Sequence, residues 1–421
     1  MITIIMGNLK KILFVVLLFW ASVSSYSQSM DMYNHGILQV NPNGFMAVLS
    51  DFYNIETGAY ENNGEVLFAG HFDNEGIITY NPQYQGYTRF EGTSVQNISG
   101  GFPADFYDVL FRNNSTQPAF LLSGNIAING NADFMTGIVQ NSNGIIIFEQ
   151  GATHTNTDNT SHVDGLIHKN GAEYFRYPIG NGGYYRFSEI STNGNPNAVF
   201  SGKYRLENSD GLYPHTNKEE TIQFINNTEY WELYKEGVSE DVLLTLSWNE
   251  ITTAQEIINP ADNIHIVRWS NAQNQWVSEG GVVDQISKTV TTIAQVGGYG
   301  VFTLAKTDSD INDPELIGDV IIYNGVSPND DGAHDHFIIE NIQKYPGNRV
   351  MIFNRWGVKV FETTNYDTKG NVFKGYSEAR ATLGSGLLPT GTYFYVVEYT
   401  IGTGATSKKI KKAGHLYLKT D

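Results

Sequence analysis

Between about residue 30 and residue 170 the chain never holds an apolar run for long before Gly or Asn interrupts it. GILQV, FMAVL, EVLFAG, GIITY, DVLFR, FLLSGNIAI and GIIIFEQ follow one another in this way. Runs this short, punctuated this regularly by turn residues, are strands of a sandwich, a barrel or a β-solenoid. Asn-Gly occurs at Asn43-Gly44, Asn63-Gly64, Asn129-Gly130 and Asn143-Gly144. Such pairs favour turns with positive φ. The spacing drifts without a strict repeat, so the region from 28 to 170 is a β-solenoid or a sandwich, with the solenoid set first. The rest of the composition agrees: 25 Tyr, 23 Phe and 43 Gly with only 17% charged residues favour strands and tight turns over helices. The class is all-β.

A second β-rich stretch, 171–305, contains EYFRYPIGNGGYYRFSEI, EYWELYKEG, DVLLTLSWNE, IHIVRWSNAQNQWVSEGG and YGVFTLA. Side chains alternate along a strand, so Val242, Leu244 and Leu246 share one face while Leu243, Thr245 and Ser247 share the other. Trp231, Trp248, Trp269 and Trp276 fall in or beside such strands, and the expectation is that they fill the core of a central β-sandwich. Exposed, they would instead offer stacking platforms for carbohydrate. KTDSDINDPELIGD, polar and broken by Pro314, makes 306–316 a linker. Charge changes sign across it. From Ile317 onward twelve Lys and Arg face ten Asp and Glu, a net of +2, whereas the whole chain carries −18. An acidic body repels nucleic acid and anionic lipid.

The chain has no cysteine, which removes thiol catalysis, Cys-based zinc sites and N-terminal Cys lipidation. Lys10 and Lys11 precede the apolar run ILFVVLLFWA and then SVSSYSQ. A basic start, a short apolar stretch and small residues before a cut define a secretory signal peptide over 1–27, cleaved near Ser25 or Ser27, with Met6 as an alternative start. A membrane anchor needs about 20 apolar residues, and no later segment is apolar enough to span a bilayer.

The region 317–421 reads DVIIYNGVSPNDDGAHDHFIIENI, RVMIFNRWGVKVFET, GNVFKG, LLPTGTYFYVVEYT and KKIKKAGHLYLKTD around its turns. NRWG makes a hairpin turn, IGTGATS joins the last two strands, and Trp356 is expected to plug the sheet edge. Seven or so short strands in about 100 residues match an immunoglobulin-like β-sandwich in size. Through SPNDDGAHDHF, IFNRWGVKVFE, LPTGTYFYVV and KKAGHLYLK the region resembles the type B, gliding-motility-associated C-terminal sorting domain of Bacteroidetes type IX secretion cargo. Two positions depart: His334 stands where that family usually has Asn, and Phe373–Gly375 replaces W-x-G. The resemblance implies a recognition surface built on Asn329, Asp331, Gly332, Asp335, Asn354, Arg355, Trp356, Gly357, Gly391, Tyr393 and Gly414. It implies as partners the type IX translocon and a PorP/SprF-type outer-membrane barrel. SHVDGLIHKNGAEYFRYPIGNGGYYRFSEIS is similar to a stretch of multi-domain surface proteins from the same bacteria.

Two clusters offer metal chemistry. Asn329, Asp331 and Asp335 around Gly332 resemble the start of a calcium loop, with Glu340 near the place of its bidentate ligand; an Asx turn explains the same letters. His154, Asp158, His162, Asp164 and His168 crowd one region, and on one extended strand His162, Asp164 and His168 would share a face. No H-E-x-x-H, G-x-S-x-G, phosphate loop or dinucleotide fingerprint occurs. KKIKK at Lys408–Lys412 reads as a solvated strand edge that discourages further pairing. The sequence therefore predicts an exported, non-enzymatic β-protein, adhesin-like or structural and tied to gliding. The alternative is a secreted polysaccharide-binding protein or glycoside hydrolase.

Overall fold

The structure, a computed structural model, describes residues 30–191, 193–237, 241–307, 320–329, 334–377, 386–402 and 407–420. The first element is a parallel β-solenoid. Its first turn is β1 (Met32–Asn34), β2 (Ile37–Val40) and β3 (Phe45–Val48). Every later turn repeats the three strands, and each strand pairs in parallel with its equivalents above and below. Three sheets result, and the six-stranded third sheet counts six complete turns.

Parallel strands bury their inward faces along the whole axis. Phe52, Phe72, Phe68, Phe90, Phe111 and Phe134 are buried there, with successive rings stacked or edge-on at 5.0–5.8 Å. One corner is held by a ladder of buried amides. Asn34 Nδ2 donates to Asn54 Oδ1 at 2.8 Å, and Asn54 Nδ2 donates to Asn74 Oδ1 at 2.7 Å. The solenoid expectation is met, but the account of its turns needs correcting. Of the four Asn-Gly pairs only Asn43 has positive φ, at 63°. Glycine is needed at two of the others because turns stack closely. A Cβ on Gly64 would lie 2.4 Å from the Gly44 carbonyl oxygen, and one on Gly144 2.2 Å from that of Gly124.

The solenoid does not end at a gap. Its last strand in the second sheet, Ile167–Asn170, pairs antiparallel with Val199–Arg205. That strand pairs with Tyr230–Glu236 and so continues the same sheet into the second region. A five-stranded sheet containing Ser188–Ile190, Leu244–Ser247 and Thr289–Thr291 contributes to the same core. Val242, Leu244 and Leu246 are buried as the alternation predicts, and Trp231, Trp248, Trp269 and Trp276 are buried as well. At the centre Arg186 meets Glu229 with two hydrogen bonds of 3.0 Å, and Tyr204 donates to the same carboxylate at 2.7 Å.

The C-terminal region has its own core, drawn from Val320 to Leu418. Seven strands are described there. Five form one sheet in the order Gly325–Val326, Lys408–Leu418, Gly391–Ile401, Arg349–Phe353, Lys359–Thr364, and two short ones pair separately. The final strand is covered at its end. Tyr417 and Leu418 pair with Gly325 and Val326. Its basic beginning does lie at an edge, and Lys409 and Lys411 there face Glu398 at 3.1 and 3.6 Å.

Candidate functional site

The hairpin of the C-terminal sheet owes its turn to one side chain. Asn354 Oδ1 accepts from the backbone N–H of Trp356 at 3.0 Å and of Val358 at 2.9 Å. Gly357 closes the turn with φ +75°, a conformation that carries no Cβ penalty only in glycine. So tied, the turn cannot fold Trp356 back over the sheet. The core beneath is already filled by Phe361, Tyr366 and Phe373. Trp356 is 43% exposed, with the Arg355 guanidinium 4.4 Å from its ring centre. The plug expected from the sequence is thus an outward-facing aromatic–cation pair.

Strand register brings most of the motif to one end of the sheet. Phe353, just before the NRWG turn, pairs with Phe394. Gly391, three residues earlier on that strand, pairs with Leu418, and Leu418 pairs with Val326, which leads into the loop carrying Asn329. The NRWG turn, Gly391 and Asn329 therefore cluster at one rim. Thr390 and Thr420, which sequence reasoning passed over, tie that rim: Thr420 N donates to Thr390 Oγ1 at 2.8 Å. Tyr393 is buried and donates to the Pro389 carbonyl at 2.9 Å, so its part is support. Gly414 lies away from the rim, opposite Tyr395, whose hydroxyl would come within 2.4 Å of a Cβ there. Burial pushes the Tyr395 hydroxyl up to about 12. Asp331 and Gly332 lie outside the described residues.

The rim faces the body across a cleft of about 640 Å³. Arg355, Trp356 and Phe394 form one wall; Tyr174, Arg176, Phe187, Thr245 and Thr289 are among the residues of the other. Arg176 lies 4.2 Å over the Phe187 ring and pairs with Glu189 at 2.6 Å. The two halves touch beside the cleft, where His415 Nε2 donates to the Val283 carbonyl at 2.7 Å. Burial would raise the Asp284 carboxyl, but the Ser287 backbone N–H and hydroxyl and the Ile286 N–H hold it below its usual range.

The histidine cluster does not assemble, and no group of ligating side chains that could hold an ion occurs among the described residues; the calcium-loop reading falls on Asp331 and Gly332, outside them. Glu340 sits on a strand and accepts from the Tyr323 hydroxyl at 2.9 Å. His162 and Asp164 do not share a face with His168, because the chain turns a solenoid corner between them and places them in different sheets. His162 donates from Nδ1 to the Asp158 carbonyl at 3.0 Å. Asp164 accepts from Asn181, and His154 donates from Nε2 to the Arg176 carbonyl at 2.6 Å. Burial lowers His154 to about 4.

What this rim belongs to is decided by comparison with known families. Residues 320–418 match the CHU_C Type IX secretion signal domain. The signal domain makes the chain cargo of the type IX secretion system and directs it to the extracellular or outer-membrane surface. The hairpin, the separate core and all of the rim but Thr420 fall within the matched residues. No curated protein and no solved structure matches the chain. No helix among the described residues is long and apolar enough to cross a membrane.

Proposed function

We propose that the chain is a non-enzymatic surface component, adhesin-like or structural and associated with gliding, delivered by its signal domain. The observation that carries this is the architecture of the cargo: a solenoid whose packed interior continues directly into the second region. Such a body is an elongated scaffold, stable through stacking of neighbours, and suits display at a distance from the membrane. The signal domain, an immunoglobulin-like sandwich on this reading, meets the translocon and a PorP/SprF-type outer-membrane barrel through the rim bearing Arg355 and Trp356. Arg and Trp are the residues that most often anchor protein interfaces.

The experiment is localisation in parent cells and in cells lacking the secretion system. Surface-exposed protein in the first and periplasmic retention in the second are expected; equal surface exposure in both sinks the reading. The alternative, a polysaccharide-binding protein or hydrolase, finds less support, since the four tryptophans read as its stacking platforms are buried. Turnover of a polysaccharide that one Asp or Glu substitution abolishes would favour it.

A further inference from the structure

Among the described residues the solenoid is closed at one end and open at the other. At the far end the sheet carries on into antiparallel strands. At the near end, among the described residues, β1, β2 and β3 each have a strand neighbour on one side only. Their outer edges present a triangle of unpaired backbone groups. The core is open there too. Met32, Leu38 and Met46 point inward but are only partly buried, whereas Phe52, Tyr60 and Val66, their register partners one turn on, are buried. Around them Ile37 and Phe45 are exposed at 90% and 63%.

Solenoids normally end in a polar cap, and free strand edges are normally guarded by charge. This turn has neither. From Met32 to Ser50 there is no Asp, Glu, Lys or Arg, so that Asp31 just before β1 is the one charged residue of the turn, while the next turn carries Asp51, Glu56, Glu61 and Glu65. In a chain of net charge −18 a turn with so little charge matters, because it is where two copies can meet with least like-charge repulsion.

We propose that the first solenoid turn is a homodimer interface, with two copies joined end to end through β1, β2 and β3. A partner that satisfies the triangle must offer three strand edges and an open core in the same arrangement, and a second copy does so. The contact is isologous and closes at two copies. A two-fold axis in the plane of the turn sets β1 against the other β1, antiparallel, and exchanges β2 with β3. The exchange is even, since β2 and β3 both have four residues with the same burial pattern. The dimer would carry two signal domains at opposite ends of one continuous rod.

The cysteine-free chain makes the test direct. Tyr33 is the middle residue of β1, so Tyr33→Cys would face itself across the axis, at a Cα separation near 5 Å that suits a disulfide. Mature protein collected from the cell surface is examined by sedimentation over a range of concentrations. The Tyr33→Cys variant is oxidised alongside Leu212→Cys, a control at an exposed position elsewhere. Expected are a concentration-dependent dimer, cross-linking by Tyr33→Cys alone, and a dissociation constant raised at least about 100-fold by Ile37→Lys with Phe45→Lys. Both side chains of the double variant are exposed, and unchanged circular dichroism establishes its fold. A monomer at every concentration overturns the proposal; that is the result if another segment of the chain, or another protein, caps the turn. Open-ended oligomers overturn it as well, and so does a dimer that survives the double substitution.

Discussion

Tyr366 donates to the Phe337 carbonyl at 2.5 Å and accepts from the Phe373 backbone N–H at 3.1 Å, wholly buried in the signal domain. Trp356, on the same hairpin unit, touches Arg355 and solvent. The two aromatics therefore make opposite predictions. Tyr366→Phe leaves two buried backbone groups without a partner and should cost about 1–3 kcal/mol. Trp356→Ala, at an exposed turn, should change stability by no more than about 1 kcal/mol yet reduce surface delivery. Thermal melting and surface labelling of both variants separate the effects. A Trp356→Ala protein that melts many degrees lower would return the residue to the core. The turn itself was legible from N-R-W-G, because its chemistry is local. The exposure of Trp356 was not, because it depends on which distant side chains already fill the core.

At the scale of the element, the amide ladder shows why the solenoid was hard to read. Asn34, Asn54 and Asn74 recur at 20 residues, in MYN, FYN and FDN. That signal is present but stops after three turns. The register step then varies: Phe72 pairs with Ile98, 26 residues on, and Phe120 with Val139, 19 residues on. Corners absorb extra residues without disturbing the strands, so the period drifts while the structure does not. Asn54→Leu should unsatisfy both neighbours and cost about 1–3 kcal/mol for each group left unpaired, read as a fall in denaturation midpoint; no change would mean that water or backbone replaces the ladder. The Arg186–Glu229 pair gives the second prediction at this scale. Burial alone would raise the Glu229 carboxyl, but Arg186 prevails and holds it below its usual range. A depressed carboxylate contributes stability above the ordinary carboxylate range, and that stability is lost as pH falls through the folded value. Arg186→Met strands a buried charge at a cost of about 3–5 kcal/mol near neutrality. The gap to the parent should narrow as pH falls into the ordinary carboxylate range, because burial without Arg186 raises Glu229 and it protonates in the variant first. His154 and His265, both lowered by burial to about 4, act at higher pH. Stability intact above about 6.5 should fall in both proteins as pH drops toward 4.

The whole molecule joins a signal domain with its own core to a body whose core runs without interruption from Val40 to Leu304. In the sequence the charge balance changes sign between the two; the segment read as a linker begins on the strand Gly300–Thr307 and from 308 on lies outside the described residues. The contact between them left no such mark. It rests on single long-range meetings, such as His415 with the Val283 carbonyl and Gly357 against Ser191, which no periodicity announces. Two consequences can be measured on a fluorescent passenger carried by residues 307–421. Since the signal domain buries its own apolar side chains, it should deliver the passenger without the body, and to the same extent as the full chain delivers itself. Deleting Gly414 to Asp421 removes Leu416 and Leu418 from that core and breaks pairing on both sides of the last strand. Delivery should be lost, with the fused domain cleaved by protease at a rate typical of an unfolded chain. Substituting His415→Ala in the full chain tests the contact away from the turn, by removing the hydrogen bond to the Val283 carbonyl. If delivery depends on the rim and not on the body, His415→Ala should loosen the two halves and leave export near the parent level. A loss of export as complete as that caused by the deletion would show that the docked arrangement is itself what the secretion system recognises.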